Sequence, residues 1–449
     1  MSAPGLPYWL DIPRPTFPQL SENVTTDVAI VGAGISGTKL AYYLSKHGLN
    51  SVIIECGRAG DGASGRNQGS ICTGVGILYA KAIEQFKAAC GADARKFARA
   101  LWRLGVDNQK LARAQMLELG IECDYQQEGF HTLVRRDAPQ AETLIERYRR
   151  DCDLLREDRF DVVWMDEREA FERGGSPLYI GGLSYAADAQ FHSGKYVIGL
   201  ASAVARLKLV KLFEQTRVIR VEAKGSRASV ITPRGVISAA HVFLATNVLV
   251  PQHVPSLADG LRAERGQAFV TEPLPSRPCI GSFGTHMAWW REIPQADGRF
   301  RLLFGGGRGQ DEPDSLFRQF DSAGKAHPKL ETEGSSPSES HQKRLDRQFE
   351  KLFPSLASVP RTHRWGGLQC FTADHLPMIG VFDPSRRIHG MAGFSGRGNT
   401  YTDVGAEVLA ARVASATSAM EMKYGPLIDT LMKVGRPSAK WKPWTTSND

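Results

Sequence analysis

The sequence lacks the patterns that mark several common protein classes. Its seven cysteines are an odd number and include no C-x-x-C pair. Neither a disulfide framework nor a zinc site is therefore expected, and a reducing compartment fits. No stretch approaches the roughly 18 uninterrupted apolar residues that a membrane-spanning helix needs. The N-terminal segment is proline-rich without a continuous apolar core, so no signal peptide is predicted and we expect a cytoplasmic protein.

The chain also lacks a dense run of lysine and arginine. Its formal charge is +8, but the basic residues are spread through stretches such as 81–113 and 146–159. Because aromatic residues do not interleave with them, a solvated basic surface is favoured over nucleic-acid binding. A positive field of this kind would still help to attract an anionic substrate.

Hydrolytic and metal-dependent patterns are missing as well. No Ser-His-Asp, histidine–metal or paired-carboxylate arrangement stands out, and the 11 histidines are scattered. No metal site is therefore predicted. The composition, with 42% apolar and 23% charged residues, is that of an ordinary globular protein. A chain of 449 residues is too long for one compact core, which predicts two domains.

The most informative segment that is present spans residues 26–69. A short apolar strand at 27–31 leads into GAGISG at 32–37, which fits G-x-G-x-x-G, and a helical pattern continues over 38–47. Gly48 stops this helix, and a second strand at 51–54 ends in an acidic residue. A strand, a glycine turn, a helix and a second strand in this order are typical of a dinucleotide-binding unit.

Each part of this unit has a physical role. The first glycine allows a sharp turn, the second lets a pyrophosphate approach the backbone, and the third lets the helix pack closely on the strand. The N–H groups of the first helical turn face the phosphates, and the acid accepts hydrogen bonds from ribose hydroxyls. The alternative is an ordinary glycine-rich turn. The predicted cofactor-binding residues here are Gly32, Gly34, Ile35, Ser36, Gly37 and Glu55.

A second glycine loop, GDGASGRNQG at 60–69, distinguishes FAD from NAD. It concentrates backbone amides and polar side chains near the same phosphates. An NAD-binding unit needs no second cradle of this kind, so the loop favours FAD. The alternative is a solvated surface loop with an incidental arginine. The predicted cofactor-binding residues of this loop are Ala63, Ser64, Arg66, Asn67, Gln68, Gly69 and Ser70.

Several motifs in one consistent order carry a family resemblance. They are DVAIVGAGISG, GASGRNQG, LFEQTRVIRV at 212–221, AAHVFLATN at 239–247, LFGGG at 303–307, WGGLQCFTADHLPMIG at 365–380 and GFSGRGNT at 393–400. With them, the chain resembles the D-amino-acid-oxidase-like family of FAD-dependent amine oxidases, and within it the gamma-glutamylputrescine oxidases, from about residue 7 to about residue 415. It departs from the family at Gln68, where glycine is common, at Lys39, where a small or apolar residue is usual, and at Arg397, where histidine is common.

The resemblance implies non-covalent FAD and oxidation of a C–N bond in a small amine or amino acid. Hydride would pass to flavin N5, and dioxygen would reoxidise the flavin and give hydrogen peroxide. Arg397 is the predicted catalytic residue, because its charge and the following helix would stabilise negative charge on the flavin ring; the alternative is an arginine that faces water. Cys370 is expected to be a buried thiol. Further cofactor contacts are predicted at Val218, Thr246, Asn247, Gly396, Arg397, Gly398, Asn399 and Thr400.

The predicted fold is α/β. A Rossmann-like, discontinuous FAD-binding domain would comprise residues 21–124, 186–250 and 362–430, and an α+β substrate domain with an antiparallel sheet would comprise 125–185 and 251–361. Residues 1–20 and 431–449 would be terminal arms, and 310–341 a polar surface excursion of unassigned role. Strands are predicted at 125–134, around 218 and 230, and at 242–246, 267–271, 286–291 and 300–304. Helices are predicted at 80–89, 93–117, 138–155, 194–207, 344–353 and 405–420.

A possible substrate-binding cluster is formed by Trp289, Trp290 and Arg291 on a strand of the second domain. Aromatic rings could enclose an amine, and the guanidinium could pair with a carboxylate. The alternative, core packing with a surface salt bridge, is equally consistent with the pattern. Two other functions stay open: a dehydrogenase of the same fold that passes electrons to a quinone or carrier protein, and a flavin-binding protein without turnover. The exact substrate, its stereochemistry and the oligomeric state are not determined by the sequence.

Overall fold

The structure is a computed structural model and describes residues 5–285, 288–306, 330 and 334–436. Its α-helices are α1 (Ile35–Lys46), α2 (Tyr79–Cys90), α3 (Ala94–Glu118), α4 (Ala141–Glu157), α5 (Glu167–Gly174), α6 (Ser193–Val204), α7 (Glu339–Leu352), α8 (Gly398–Val413) and α9 (Ala419–Leu427). No helix among the described residues is long and apolar enough to cross a membrane.

The strands divide between two eight-stranded sheets and one two-stranded sheet. They are β1 (Val24–Val31), β2 (Ser51–Ile54), β3 (Ser70–Ile71), β4 (Phe130–Arg135), β5 (Val163–Met165), β6 (Tyr179–Tyr185), β7 (Ala189–Gln190), β8 (Val210–Phe213), β9 (Arg220–Lys224), β10 (Arg227–Thr232), β11 (Gly235–Leu244), β12 (Arg262–Thr271), β13 (Ser282–Gly284), β14 (Ala288–Pro294), β15 (Phe300–Gly306), β16 (Arg361–Phe371), β17 (Met378–Val381) and β18 (Ile388–Ala392).

The first sheet has a parallel centre. Strands β18, β11, β1, β2 and β8 lie in this order and pair in parallel, while β17 pairs antiparallel with β18 and the hairpin of β9 and β10 pairs with β11. β1 is buried on both faces because its last four residues are all apolar, as expected for a covered parallel sheet. One face packs against a core that includes side chains of α1, α3, α6 and α8. The predicted Rossmann-like α/β class is confirmed.

The second sheet is antiparallel except where β13 pairs in parallel with β4, and its strand order is β16-β12-β15-β14-β13-β4-β6-β5. Its core is rich in aromatic residues and is covered by α7, whose Phe349 contacts Phe269 and Phe304. α7 begins at Glu339, five residues before the predicted start, and ends one residue before the predicted end. The expected second, antiparallel sheet is therefore present.

Three element predictions need correction. The strand predicted at 125–134 begins only at Phe130. Val218 lies in the connection between β8 and β9 instead of in a strand. The helix predicted at 405–420 is two helices, because α8 begins at Gly398 and ends at Val413, and Ser418 then caps α9 by accepting the N–H of Glu421. The spacing of apolar residues does not reveal such a side-chain cap, so it could not show that a new helix begins here.

The chain returns to the first sheet later than predicted. β16 pairs with β12 from Arg361 to Phe371, so residues 362–371 belong to the second sheet, and only β17 rejoins the first. The other predicted domain boundaries stay predictions. The excursion predicted at 310–341 lies mostly outside the described residues, as do positions 286–287 of the strand predicted at 286–291.

The described part of the predicted N-terminal arm packs against the rest of the protein. Tyr8–Leu10 form a short 3-10 helix, and the Trp9 side chain is completely buried. Its ring nitrogen donates to the Asn67 carbonyl oxygen at 2.7 Å. This contact places the N-terminal segment against the second glycine loop and helps to hold that loop in position.

Candidate active site

The GAGISG turn has the geometry that its glycines predict. Gly32 adopts φ +108° and donates its N–H to the Ile54 carbonyl at 2.8 Å, which joins the ends of β1 and β2. A Cβ on Gly37 would lie only 2.0 Å from the Gly32 carbonyl oxygen, so a larger residue would push α1 away from the strand. The N-terminus of α1 is thereby fixed at the C-terminal edge of the parallel sheet.

The second glycine loop contacts this turn through Ser64. Its hydroxyl oxygen accepts the Ile35 N–H at 3.0 Å and lies 2.8 Å from the position that a Cβ on Gly34 would occupy. Asn67 shapes the loop from within, because its amide donates to the Ser64 carbonyl at 2.8 Å and its side-chain oxygen accepts the Gly69 N–H at 2.7 Å. Two loops that are separate in the sequence therefore form one polar cradle.

Glu55 lies immediately after β2, as predicted. One carboxylate oxygen accepts the Ala33 N–H at 2.9 Å, and the other accepts the Gly57 N–H, also at 2.9 Å. The oxygen that accepts from Gly57 also accepts the Cys56 thiol at 3.3 Å, whereas the oxygen that accepts from Ala33 has a further lone pair that could accept from a hydroxyl group. The Glu55 carbonyl also accepts the Thr216 N–H, which places the connection containing Val218 beside the end of β2.

The N-terminus of α8 joins the same cradle. The Asn399 side-chain amide donates to the Ser70 carbonyl at 3.0 Å, and the Thr400 hydroxyl donates to the Cys72 carbonyl at 2.8 Å. Asn108 of α3 fixes the first turn, because it donates to the Asn399 carbonyl and accepts the Asp403 N–H. Nothing in the local sequence singles out Asn108, so the sequence analysis missed it.

Two predicted cofactor residues carry buried oxygens with no hydrogen-bond partner in the described part of the chain. They are the hydroxyl oxygen of Thr246 and the side-chain oxygen of Asn399. An unsatisfied buried polar atom costs roughly 1–3 kcal/mol. A bound group rich in hydrogen-bonding atoms would provide the missing partners, so these residues fit FAD.

Other predicted cofactor residues use their side chains to hold the protein together. The Arg66 guanidinium donates to the carbonyls of Asp61 at 2.8 Å and Gly366 at 3.1 Å, and burial lowers the pKa of this group. Other such side-chain donations are those of Gln68 to the carbonyls of Phe283 and Trp290, Ser70 to the Ser282 hydroxyl, and Asn247 to the Leu368 carbonyl. These side chains connect the cofactor loops to strands of the second sheet, β16 among them.

The Trp289–Arg291 cluster is placed by packing. Trp290 is completely buried, stacks on Phe283 at 4.8 Å and on Tyr179 at 5.2 Å, and donates its ring N–H to the Gly174 carbonyl. Arg291 is 1% exposed, and burial lowers its pKa to about 10. Both residues therefore lie in the core, as the alternative interpretation of the sequence expected. That interpretation also expected a surface salt bridge, but Arg291 donates to backbone carbonyls instead.

Arg397 has different surroundings. It is partly buried at the start of α8, and its guanidinium carbon lies 5.4 Å from the ring centroid of Phe130 on β4 of the second sheet. Among the described residues, its side chain has no hydrogen-bond or ion-pair partner. Its positive charge acts on several buried or partly buried groups whose pKa values are raised by burial and lowered in part by Arg397: Cys72, Tyr148, Tyr185, Asp188 and Tyr401.

Asp188 is the buried carboxylate of this group, and the sequence analysis missed it. It accepts the N–H and the hydroxyl of Thr73, each at 2.7 Å, and the side-chain amide of Gln109 at 2.5 Å. Burial nevertheless raises its pKa to about 6. No group of three or more His, Cys, Asp or Glu side chains in the described residues could hold a metal ion. Cys370 is a buried free thiol, and burial raises its pKa to about 12.

The family model described as FAD dependent oxidoreductase (DAO) matches residues 27–412. The gamma-glutamylputrescine oxidoreductase of Escherichia coli (strain K12) is 27% identical over 406 residues, which cover 88% of this chain and 85% of that protein. A probable oxidoreductase of Rhizobium meliloti (strain 1021) is 27% identical over 398 residues, which cover 86% of this chain and 82% of that protein.

Solved structures are similar at the level of the fold. Glycine oxidase from Geobacillus kaustophilus has a TM-score of 0.70 with 20% identity, covering 92% of this chain and 100% of that chain. L-proline dehydrogenase from P. horikoshii has a TM-score of 0.68 with 18% identity, covering 90% and 98%. Both an oxidase and a dehydrogenase share this architecture, so the architecture alone does not select the electron acceptor.

Proposed function

Since this chain belongs to the DAO family of FAD-dependent oxidoreductases and acts on amines or amino acids, we propose that it oxidises a C–N bond in the manner of a gamma-glutamylputrescine oxidase. The observation that carries the proposal is the meeting of three loops distant in sequence. Ser64 joins the second glycine loop to the GAGISG turn, and Asn399 joins the start of α8 to Ser70. The relative named gamma-glutamylputrescine oxidoreductase supports the substrate class.

The proposed reaction removes two electrons and two protons from an amine. Bound FAD supplies the acceptor for hydride from the carbon next to nitrogen. The substrate becomes an imine, and water converts it to a carbonyl compound and a free amine or ammonia. With dioxygen as the final acceptor, the two electrons and two protons leave as hydrogen peroxide.

This chain's own residues would bind and orient the reactants. The N–H groups at the start of α1 and the Ser64 loop would hold phosphates, and Glu55 would accept from ribose hydroxyls. The positive N-terminus of α8, with Arg397 beside it, would stabilise negative charge that develops near this helix. We propose non-covalent binding, because Cys370 is a buried protonated thiol and the second glycine loop offers Arg66 and Asn67 where a covalent link would need histidine.

Anaerobic mixing tests the proposal directly. Purified holoprotein is mixed with polyamines, gamma-glutamylated amines and L- and D-amino acids, and the flavin absorbance is followed. We expect bleaching by gamma-glutamylated amines, and hydrogen peroxide when air is readmitted. Flavin that no compound of this panel bleaches would contradict the proposal. Bleaching without peroxide would instead select the dehydrogenase that uses a quinone or carrier protein.

A further inference from the structure

Asp188 is a completely buried carboxylate whose hydrogen-bond donors in the described part of the chain are all neutral. It lies in the turn between β6 and β7, and β7 pairs with β3, the strand that follows the second glycine loop. One oxygen accepts the Thr73 N–H, and the other accepts the Thr73 hydroxyl and the Gln109 amide. A buried charge with neutral partners is costly, and asparagine could make similar contacts. The charge therefore points to a role beyond holding Thr73.

Thr73 links this carboxylate to the start of α8. The carbonyl of the preceding residue, Cys72, accepts the hydroxyl of Thr400, a predicted cofactor residue, at 2.8 Å. Gly105 of α3 allows both segments to come close, because a Cβ there would lie 3.3 Å from the Thr400 methyl group and 3.4 Å from the Thr73 Cα. Through Thr73, Asp188 therefore fixes the segment that contacts the first turn of α8.

The charge of Asp188 acts in the same place. Burial raises the Asp188 pKa to about 6, and the hydrogen bonds from Thr73 and Gln109 offset part of this rise, as does the charge of Arg397. Four charged or titratable groups on separate parts of the fold face Asp188: Arg397 at the start of α8, Cys72 after β3, Tyr125 before β4 and Tyr185 of β6. Burial raises the pKa values of the cysteine and the two tyrosines, so these three groups stay neutral at mildly acidic and neutral pH.

We propose that Asp188 is a positioning residue that offsets the positive charge of Arg397 at the start of α8, so that bound FAD is harder to reduce when Asp188 is ionised. A negative charge opposes the gain of electrons by a nearby group, and the low dielectric of the interior strengthens this effect. Protonation of Asp188 would remove that opposition. The inference goes beyond the proposed function, because it concerns the cofactor and holds for any amine that the enzyme oxidises.

The reduction potential of bound FAD tests the inference without a substrate. Holoprotein is reduced chemically beside a dye of known potential, at about pH 5 and about pH 8.5. Asp188→Asn keeps an acceptor for the Thr73 N–H, and its amide can donate to Gln109 once that side chain rotates. At the higher pH we expect the variant to favour reduction about tenfold over wild type, a rise of about 30 mV for two electrons. At the lower pH both side chains are neutral, so the two potentials should agree.

Asp151→Asn is the matched control. Asp151 is also a buried carboxylate, it accepts the N–H groups of Tyr79 and Ala80, and burial likewise raises its pKa to about 6. The arginine that acts on its pKa is Arg150. We expect the equilibrium constant for reduction of FAD to change by less than about twofold at either pH. A shift as large as that in Asp188→Asn would show that the effect is not specific to Asp188, and would overturn the inference.

Two further variants test the balance of charges. Gln109→Met removes one donor to Asp188 and keeps the carboxylate, so the pH at which the potential changes should rise by about one unit. Combining Asp188→Asn with Arg397→Gln removes both charges, so the equilibrium constant for reduction at about pH 8.5 should return to within about twofold of wild type. A double variant that is reduced as readily as Asp188→Asn would show that Asp188 does not offset Arg397, and would overturn the inference.

The remaining outcomes are also decisive. An unchanged potential of Asp188→Asn at about pH 8.5 overturns the inference. An equal rise at both pH values does so too, because it would come from displaced structure and not from a lost charge. If Asp188→Asn does not retain FAD, Gln109→Met decides, and a pH profile like that of wild type overturns the inference. Since none of these measurements uses an amine, a failure of the proposed function in the bleaching experiment leaves them interpretable.

Discussion

Two arginines that the sequence marks as possible ligand contacts lie in contrasting regions. Arg291 on β14 donates to the carbonyls of Phe191 at 2.8 Å, Glu292 at 3.0 Å and Gly69 at 3.1 Å, and is 1% exposed. Arg397 at the start of α8 is partly exposed and has no such partner among the described residues. The guanidinium of Arg291 is thus held by the folded backbone, and that of Arg397 is not paired with any described residue. The role of each arginine therefore does not follow from its residue type. It depends on whether backbone carbonyls lie within hydrogen-bonding distance of the guanidinium.

The sharpest test of this contrast is a pair of substitutions. Arg291→Met should lower the free energy of unfolding by about 3–5 kcal/mol, because three buried carbonyls lose the guanidinium N–H groups, although the Gly69 carbonyl keeps the Phe191 N–H. Arg397→Met should change it by less than about 1 kcal/mol, since the substitution removes no hydrogen bond or ion pair to a described residue. Urea unfolding midpoints and thermal midpoints measure both. Equal losses of unfolding free energy in the two variants would contradict the expected difference between Arg291 and Arg397.

The next largest predicted effect concerns the buried ion pair that joins α1 to α8. Lys39 on α1 and Asp403 on α8 form a completely buried ion pair, and the Lys39 ammonium also donates to the Thr402 hydroxyl at 3.0 Å. Lys39→Met would leave the Asp403 carboxylate without its partner, so we expect a loss of about 3 kcal/mol in urea unfolding.

Two variants control this prediction. The double variant Lys39→Met/Asp403→Leu should recover most of the loss, because an apolar pair of similar volume avoids the cost of burying charge. Lys46→Met, which breaks a half-exposed pair with Glu118, should cost less than about 1 kcal/mol. A double variant as unstable as Lys39→Met would show that the two helices need the charges themselves and not only a filled contact.

A pH effect on stability should follow from the burial of His192 near Arg291. Burial lowers the pKa of His192 to about 4, and the positive charge of Arg291 contributes. The unfolded chain takes up this proton below about pH 6.5 and the folded chain does not, so stability should fall as pH drops from about 6.5 towards 4, by up to ~1.4 kcal/mol per pH unit.

His192→Asn should flatten this dependence. Asparagine can still cap α6, as the His192 ring nitrogen does when it accepts the Lys195 N–H. Burial also lowers the pKa values of His131, His253 and His389 to about 4, and these residues stay in place and retain part of the slope. Urea midpoints measured at several values between about pH 4.5 and 7 give the slope. An unchanged slope in the variant would assign the pH dependence to other groups.

The smallest predicted effect is at the tip of α8. Asn399→Ala removes the contact with the Ser70 carbonyl and the side-chain oxygen that has no hydrogen-bond partner among the residues that the structure describes. We expect the dissociation constant of FAD to rise by about five- to tenfold, measured by fluorescence titration of the apoprotein. Ser418→Ala, which removes the cap of α9, should not change it. Equal affinity in Asn399→Ala and wild type would place Asn399 outside the cofactor contacts.

Local signals predicted much of the fold. The second strand was predicted at its observed bounds, Ser51–Ile54, because a short apolar run between Gly48 and Glu55 has clear limits. The two helices predicted at 80–89 and 93–117 are observed as Tyr79–Cys90 and Ala94–Glu118. The strand order and the assignment of β16 to the second sheet depend on pairing partners, and no run of residues records its partner.

For the candidate site, the sequence identified loops more successfully than individual contacts. Turn chemistry is local, so GAGISG and GASGRNQG could be recognised from glycine spacing. The contributions of Asn108 and Asp188 could not, because each depends on residues brought close by folding. From the sequence, Trp290 could equally contact a ligand or pack in the core. The structure shows it stacked on Phe283 and Tyr179 in the core.

The sequence by itself determined the βαβ unit, the second glycine loop and the kind of cofactor, since these follow from backbone freedom and spacing within a few dozen residues. Only the tertiary structure decided which of the two arginines, Arg291 or Arg397, is paired with backbone carbonyls in the described part of the chain. Two of the three carbonyls that accept from Arg291 lie 222 and 100 positions away along the chain, at Gly69 and Phe191. Hydrogen bonding acts over a few ångströms of space, and only the folded chain brings such distant donors and acceptors that close.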